Sequence, residues 1–569
     1  MLKSALFSRR LGVPATRLFS KIVKGKVEQP LLSTGLPSMN FPKFLMQDFM
    51  NPHQVDLPAF MDGTTNESRT FGELYSHTYS LAQTLRDEYK IGKDDCVAIW
   101  SPNHINYFTA FQGTALTDGF SMCINPLYTE EEAMYQVEIT NAKVMIAHPY
   151  CMKLAKIVAE KRGIPLINIA APNEAHGTTG ITSLDSMVNI ALDSIDQDSF
   201  GKQCKEDILS VPFSSGTTGR PKGVMLTHQN VISNVLQIMP AEGDYMKTRA
   251  DGRRQSLLVP LPFFHIYGLV AGMFLPLYAG AKSIFMPAFD LVKFLEIIQE
   301  HKITRTHIVP PICLAMAKHP IIDNYDLSSL EVVMSGAAPL GGDVQKAMQD
   351  RLGTLVKQAW GMTELSPAGN IFDDEHLRRL GGDSKGSVGP LLPATEAKIV
   401  CLETGNDLDP TQEGELYIRG PQVMKGYYKN REATDEMLDS NGWLHTGDVC
   451  KFDEDGLLYI TDRCKELIKY KGFQIAPAEL EALILTIPEV MDVVVIPVVD
   501  EIGGEIPRAY VVKCPDTDIT EETICDFVAL KVNPNKKLRG GVRFTDVIPK
   551  SASGKILRRI QIQKDRESV

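Results

Sequence analysis

Ten residues, SSGTTGRPKG at 214–223, narrow what this chain can fold into more than any other stretch. An apolar run at 208–213 leads in and another at 224–226 leads out, which predicts strand, loop, strand. The loop gathers Ser214, Ser215, Gly216, Thr217, Thr218 and Gly219, with Lys222 just beyond. Glycine lets a backbone turn tightly and approach an anion closely. Backbone N–H groups, hydroxyls and a lysine can then surround phosphate oxygens. The Walker spacing GxxxxGK[ST] is absent, and Pro221 stands where the helix after such a loop would begin. A surface loop is the competing reading of any Ser/Gly/Thr cluster. The Pro-Lys-Gly leading into a strand favours phosphate binding.

The chain around this loop has 569 residues, room for roughly three to four domains. With 44% hydrophobic and 23% charged residues it has an ordinary globular composition. A formal net charge of -11 argues against a nucleic-acid partner. The ten cysteines include no CxxC pair and no His/Cys cluster at zinc spacing, so they read as reduced, packed thiols of an intracellular protein. Residues 1–27 differ from this acidic average. Lys3, Arg9, Arg10, Arg17, Lys21, Lys24 and Lys26 precede the first acid, Glu28, with serines and apolar residues between them. That is the composition of a mitochondrial presequence, with Arg17-Leu18-Phe19-Ser20 suited to processing. The expectation is a matrix protein whose residues 1–27 stand outside the fold. A basic tail on a cytoplasmic or peroxisomal protein is the alternative. Residues 255–281 carry no Lys, Arg, Asp or Glu, a length that could cross a bilayer. Pro260, Pro262 and Pro276 interrupt it, which favours a buried strand and a core helix over a transmembrane segment.

Local signals point to an α/β fold. Thr70 with Glu73, and Thr129 with Glu132, have the spacing of helix-opening capping boxes. Short strands at 96–100, 144–147, 283–286, 305–309 and 331–335 alternate with helical stretches, the pattern of layered α/β subdomains. After 398 the pattern changes to short strands with glycine turns, a barrel-like β subdomain. From Asp462 a smaller α+β unit begins, giving domains at 28–461 and 462–569.

Further blocks carry chemistry. Gln358, Ala359, Trp360, Gly361, Met362, Thr363 and Glu364 form QAWGMTE. Ser-Gly-Ala-Ala-Pro-Leu at 335–340 includes Gly336 and Ala337. His265 and Tyr267 lie in PFFHIYG at 262–268, where a histidine is more often a satisfied core residue. WLHTGD ends on Asp448, otherwise a plain turn acid. DRCKELIKYKGFQ at 462–474 holds Arg463, Lys465, Lys469, Lys471, Gly472 and Gln474, which alone would read as a solvated basic face. PKSASGK places Lys555 after a Ser/Gly turn near the C-terminus.

These blocks, in this order, resemble the adenylate-forming superfamily of acyl-CoA synthetases, 4-coumarate:CoA ligases, firefly luciferase and peptide-synthetase adenylation domains. The resemblance spans about residues 60 to 560, and KYKGFQIAPAELE and KLRGGVRF look closest to 4-coumarate:CoA ligases, luciferases and their medium-chain acyl relatives. It implies a large N-terminal domain and a mobile C-terminal one, acting on ATP, Mg²⁺, coenzyme A and a small carboxylic acid, medium-chain or aryl. It further implies that residues 214–219 and Lys222 hold phosphate and that the 358–362 segment, with Trp360 as its flat ring, lies against adenine. Thr363 would meet the α-phosphate, Glu364 the metal, and Asp448 and Arg463 the ribose. Gly336 and Ala337 would border adenine and the acyl group, His265 would contact the carboxylate or gate the pocket, and Tyr267 would line the acyl pocket. Lys465 would sit at the hinge, with Lys469 and Gln474 facing the acyl-adenylate and Lys471 and Gly472 along the pantetheine tunnel. Lys555 matches the adenylation lysine. Ala359 and Trp360 replace the usual glycine and tyrosine, and Cys464 a usual apolar residue. Lys318, with Tyr267, is a candidate partner for a ring hydroxyl. A luciferase-like oxygenating enzyme and an inactive nucleotide or acyl-CoA sensor are the competing functions.

Overall fold

The structure, a computed structural model, describes residues 21–26, 39–170, 178–202, 205–214, 220–249, 252–471, 473–500, 504–515, 517–551 and 554–568. Four sheets organise it. In the first, Cys96–Trp100 lies parallel to Phe120–Ile124 on one side and Val144–Ala147 on the other. All three strands are fully buried and, Ser121 aside, apolar, as expected of parallel strands covered on both faces. The helices that cover them open where the sequence predicts. Thr70 and Glu73 cap Phe71–Asp87 reciprocally, and Thr129 and Glu132 do the same for Glu130–Thr140. At one end of this sheet the 208–210 strand pairs antiparallel with Lys222–Thr227, which pairs in turn with Phe213–Ser214. The strand–loop–strand at the phosphate-type loop is therefore a hairpin, with Ser214 opposite Lys222.

The second sheet runs Ala368–Ile371, Leu355–Gly361, Val332–Ser335, Arg305–Ile308, Ser256–Val259, Lys282–Phe285, Pro58–Asp62, Ser68–Thr70. The strands at 305–308, 332–335 and 355–361 are mutually parallel. Their carboxyl ends, and the loops that follow, thus share one edge, where open α/β sheets place their ligands. Within 255–281, Ser256–Val259 is a buried strand and Tyr267–Phe274 is a fully buried π-helix running into Leu275–Tyr278. The segment is core, and among the described residues no helix is long and apolar enough to cross a membrane.

The barrel-like region is a five-stranded antiparallel sheet in the order Val23–Lys24, Glu396–Val400, Gly414–Arg419, Leu444–Phe452, Leu458–Arg463. Its first strand corrects the reading that set residues 1–27 outside the fold. Val23 and Lys24 pair with Ala397 and Glu396. Lys24 reaches the Glu396 carboxylate at 2.7 Å, while Lys21 and Lys26 donate to the carbonyls of Asp407 and Asp455, each at 2.8 Å. A Cβ on Gly25 would stand 2.0 Å from the Leu392 carbonyl oxygen, so only glycine fits there. Residues 1–20 and 27–38 lie outside the described residues. The small C-terminal unit has a sheet of Phe473–Ile475, Ile468–Tyr470, Gly504–Lys513, Val490–Asp500 and Val542–Phe544, and its own core around Ile468, Leu480, Val493, Val511 and Ile524.

Candidate active site

The flanks of the 214–223 loop lead directly to Glu364. Lys222–Thr227 pairs on its other side with Gly426–Tyr427, opposing Val224 to Tyr427. The Tyr427 hydroxyl donates to Glu364 Oε1 at 2.9 Å and is hydrogen-bonded to Ser214. Burial and the Glu364 charge raise its pKa far above the ordinary phenol value, so it stays a neutral donor. Lys222 Nζ lies 5.2 Å from the Tyr427 ring centre. Glu364 sits buried in the turn Thr363–Leu365, its carbonyl accepting from Met424 N at 2.8 Å. The bend before that turn needs Gly361, where a Cβ would stand 2.0 Å from the Pro367 carbonyl oxygen. The loop's hydroxyl and cation thus share one site with an acid. Ser215, Gly216, Thr217, Thr218 and Gly219 lie outside the described residues.

Trp360 joins this acid to the second carboxylate. Its indole N–H donates to Asp448 Oδ2 at 2.9 Å, and Arg463 Nε stands 3.2 Å from Asp448 Oδ1. Asp448 and Arg463 face each other across two antiparallel strands, with Gly447 at φ +70° turning the chain into place. A Cβ on Gly369 would lie 2.6 Å from the indole, so one face of the ring rests on backbone. The Tyr-to-Trp departure thereby supplies an N–H that orients the acid, beyond a flat surface. Gln358 is spent differently. Its amide accepts from Leu340 N at 3.3 Å and donates to Gln345 at 2.9 Å, fastening the 336–340 loop to the sheet. Ala359 is half-buried beside it, and Met362 N bonds Pro367 O at 2.9 Å. Ala337 in that loop is exposed with φ +71°, a conformation few non-glycine residues adopt. A Cβ on Gly336 would sit 3.1 Å from the Tyr267 ring, so glycine lets that ring close in. Tyr267 also stacks on His307, with ring centres 6.0 Å apart.

Lys555 enters this site from the small unit. Ser551 holds its turn, its hydroxyl accepting from Lys555 N at 3.1 Å, and Gly554 takes φ +76°. A Cβ on Gly554 would come within 3.0 Å of Val309 at the carboxyl edge of the second sheet. Burial, then the Arg463 charge, lowers the Lys555 pKa, while Glu466, Asp448 and Glu364 raise it. His265 is lowered to about 4 by burial and by Lys555, so it is a neutral imidazole at pH 7. One place therefore gathers Ser214, Lys222, Glu364, Trp360, Asp448, Arg463, His265 and Lys555. Lys465, Lys469, Lys471 and Gln474 are exposed, and Gly472 lies outside the described residues. Lys318 is not an acyl-pocket residue. Its ammonium donates to carbonyl oxygens of Leu485, Ile487 and Val490.

Nothing in the sequence singles out Tyr427, one aromatic among 17 tyrosines in a β-rich stretch. A Gly-Tyr-Tyr at a strand end is the only local signal, and it becomes meaningful once the hairpin is seen to pair with it.

Residues 47–428 match the family described as AMP-binding enzyme, and residues 479–555 its C-terminal domain. The 4-coumarate–CoA ligase 2 of Petroselinum crispum is 38% identical over 543 residues, covering 94% of this chain and 96% of the relative. A 4-coumarate–CoA ligase of Vanilla planifolia is 38% identical over 513 residues, covering 88% and 89%. Among solved structures, ATP-bound MatB from Rhodopseudomonas palustris superposes with a TM-score of 0.81 at 25% identity, covering 93% of this chain and 99% of that one. The anthranilate CoA ligase AuaEII in complex with anthranoyl-AMP shares the fold, with a TM-score of 0.83 at 20% identity, covering 94% and 99%. With these matches over most of its length, the chain belongs to the AMP-binding enzyme family.

Proposed function

We propose that the protein is an AMP-forming acid–thiol ligase, joining a small carboxylic acid to coenzyme A at the expense of ATP. The observation that carries this is Lys555, brought from the small unit to a site that already holds Glu364, Asp448, Arg463 and a neutral His265. In the first step a carboxylate oxygen attacks the α-phosphorus of ATP and pyrophosphate leaves. Both reactants are anions, so the barrier is repulsion and alignment. Lys222 and the 214–219 loop would hold the phosphates, Thr363 the α-phosphate, and Lys555 would bridge carboxylate and α-phosphate as charge develops. Asp448 and Arg463 would take the ribose hydroxyls, and the Trp360 ring the adenine. Magnesium fits this donor set. A single carboxylate, Glu364, pinned by Tyr427, suits an ion that completes its shell with phosphate oxygens and water. When bound it would supply charge neutralisation.

In the second step the coenzyme A thiolate attacks the acyl carbonyl and AMP leaves. Lys469, Lys471, Gly472 and Gln474 would act here, after the small unit turns and presents them, which accords with the exposure of Lys469, Lys471 and Gln474 in the present orientation. Tyr267 and the apolar π-helix behind it would line the acyl group, which suits an aryl or medium-chain acid. The relatives named as 4-coumarate–CoA ligases support the aryl half of that range. Pyrophosphate release with a panel of aryl and alkyl acids, with and without coenzyme A, tests the reading. Acid-dependent release and thioester formation are expected. No release with any acid would favour a sensor, and light emission with a luciferin would favour the oxygenating alternative.

For location we propose a mitochondrial presequence confined to residues 1–20, because residues 21–26 are built into the antiparallel sheet. A reporter carrying residues 1–20 should be imported into mitochondria. A reporter that stays in the cytosol would overturn the assignment.

A further inference from the structure

The helix Pro310–Lys318 touches the small unit at both ends. Its first turn meets the Lys555 hairpin, where a Gly554 Cβ would stand 3.6 Å from Pro311 Cδ and 3.0 Å from Val309. Its last residue, Lys318, reaches across to the end of Pro477–Ile484 in the small unit. There the Lys318 ammonium donates to Leu485 O at 3.2 Å, Ile487 O at 3.4 Å and Val490 O at 3.2 Å. An ammonium has three donors, and here each has a backbone acceptor. Leu485 caps the helix, Ile487 lies in the turn after it and Val490 opens the next strand, so the three carbonyls converge on the ammonium from one helix-to-strand turn. The end of the lysine's own helix is fixed in turn. Arg351 donates to the carbonyls of Met316 at 3.4 Å and Ala317 at 3.1 Å and pairs with Asp323 at 2.8 Å. A second contact supports the same orientation, because a Cβ on Gly341 would meet Ala482 Cβ at 3.7 Å. The helix is nine residues, about 13 Å long, so it spaces the two contacts rigidly.

We infer that Lys318 is a positioning residue, a latch that holds the small unit in the orientation that inserts Lys555. This rests on the two-orientation reading above. When the small unit turns, the three carbonyls move off the ammonium together, so the latch acts in the first half-reaction only. Lys318 stands at a solvent-exposed edge, which limits its strength.

Lys318→Met keeps the stem and removes the donors. Adenylate formation from acid and ATP should slow by about five- to tenfold, the size of a few screened hydrogen bonds to a charged group. Thioester formation from supplied acyl-adenylate and coenzyme A should hold or quicken. Lys318→Arg should recover part of the loss. Ala482→Glu, which wedges open the second contact, at Gly341, should give the same split even if Lys318→Met folds poorly. A Lys318→Met protein that slows both half-reactions equally, or neither, overturns the latch while Lys555→Ala still separates them. If Lys555→Ala fails to separate them too, the two-orientation reading falls and the latch with it.

Discussion

Lys555→Ala should form acyl-adenylate roughly 10²–10³ times more slowly than the wild type, the loss expected for one preorganised charge at a developing oxyanion. The same protein should convert supplied acyl-adenylate and coenzyme A to thioester at near wild-type rate. The argument rests on where the lysine stands. Its turn is clamped by Ser551, its glycine abuts Val309, and its charge is felt by His265. With the imidazole neutral, Lys555 beside it is a cation that a substrate carboxylate would meet. Arg463 of the same unit is already paired with Asp448, and Lys469 and Lys471 are exposed in this orientation. Losing both half-reactions equally in a folded Lys555→Ala protein would refute the assignment to one orientation. Single-turnover assays of each half-reaction make the comparison.

How much of this was legible beforehand follows from the range of the interactions. Capping boxes at Thr70 and Thr129 are complete within four residues, and the structure forms both. The hairpin at 214–223 is likewise local. The resemblance motifs identified Glu364, Asp448 and Lys555, because their chemistry lies in short blocks. Long-range pairings left no such trace. Tyr427 serves Glu364 from 63 positions away, and Lys318 reaches carbonyls more than 160 positions on. Trp360 was readable as a flat ring, but the bond of its N–H to Asp448 depends on how two sheets meet. Residues 21–26 misled for a physical reason. A short edge strand with outward lysines has the same composition as the end of a basic, acid-free leader.

The buried charge cluster behind Tyr267 was the least visible of all, and it yields the largest expected effect on stability. Arg305 and Lys357 sit inside the second sheet, where isolated cations in short strands look like noise. Arg305 grips the Glu242 carboxylate through two bonds of 2.8 Å and Asp374 through bonds of 2.7 and 3.1 Å. Lys357 pairs with Asp374 at 2.7 Å and with Glu242, and donates to the carbonyls of Ala241 and Phe372. Burial works against the Glu242 charge, yet Arg305, Lys357 and His307 hold its carboxyl well below the usual range. Burial lowers His307, which as a neutral ring donates from Nε2 to Glu242 at 3.1 Å. Two cations and two anions therefore balance out of reach of water. Arg305→Met leaves one anion in excess, and breaking such a buried pair costs about 3–5 kcal/mol. A second change, Asp374→Leu, restores neutrality around the Glu242–Lys357 pair and should recover more than half of the loss. Trp100, Trp360 and Trp443, the chain's three tryptophans, all precede the small unit, so their fluorescence reports unfolding of the large one. In urea the single variant should unfold at a clearly lower midpoint and the double variant in between. A single variant as stable as wild type would show that the cluster is not held as a unit, and a double variant no better than the single would show that charge balance is not its basis.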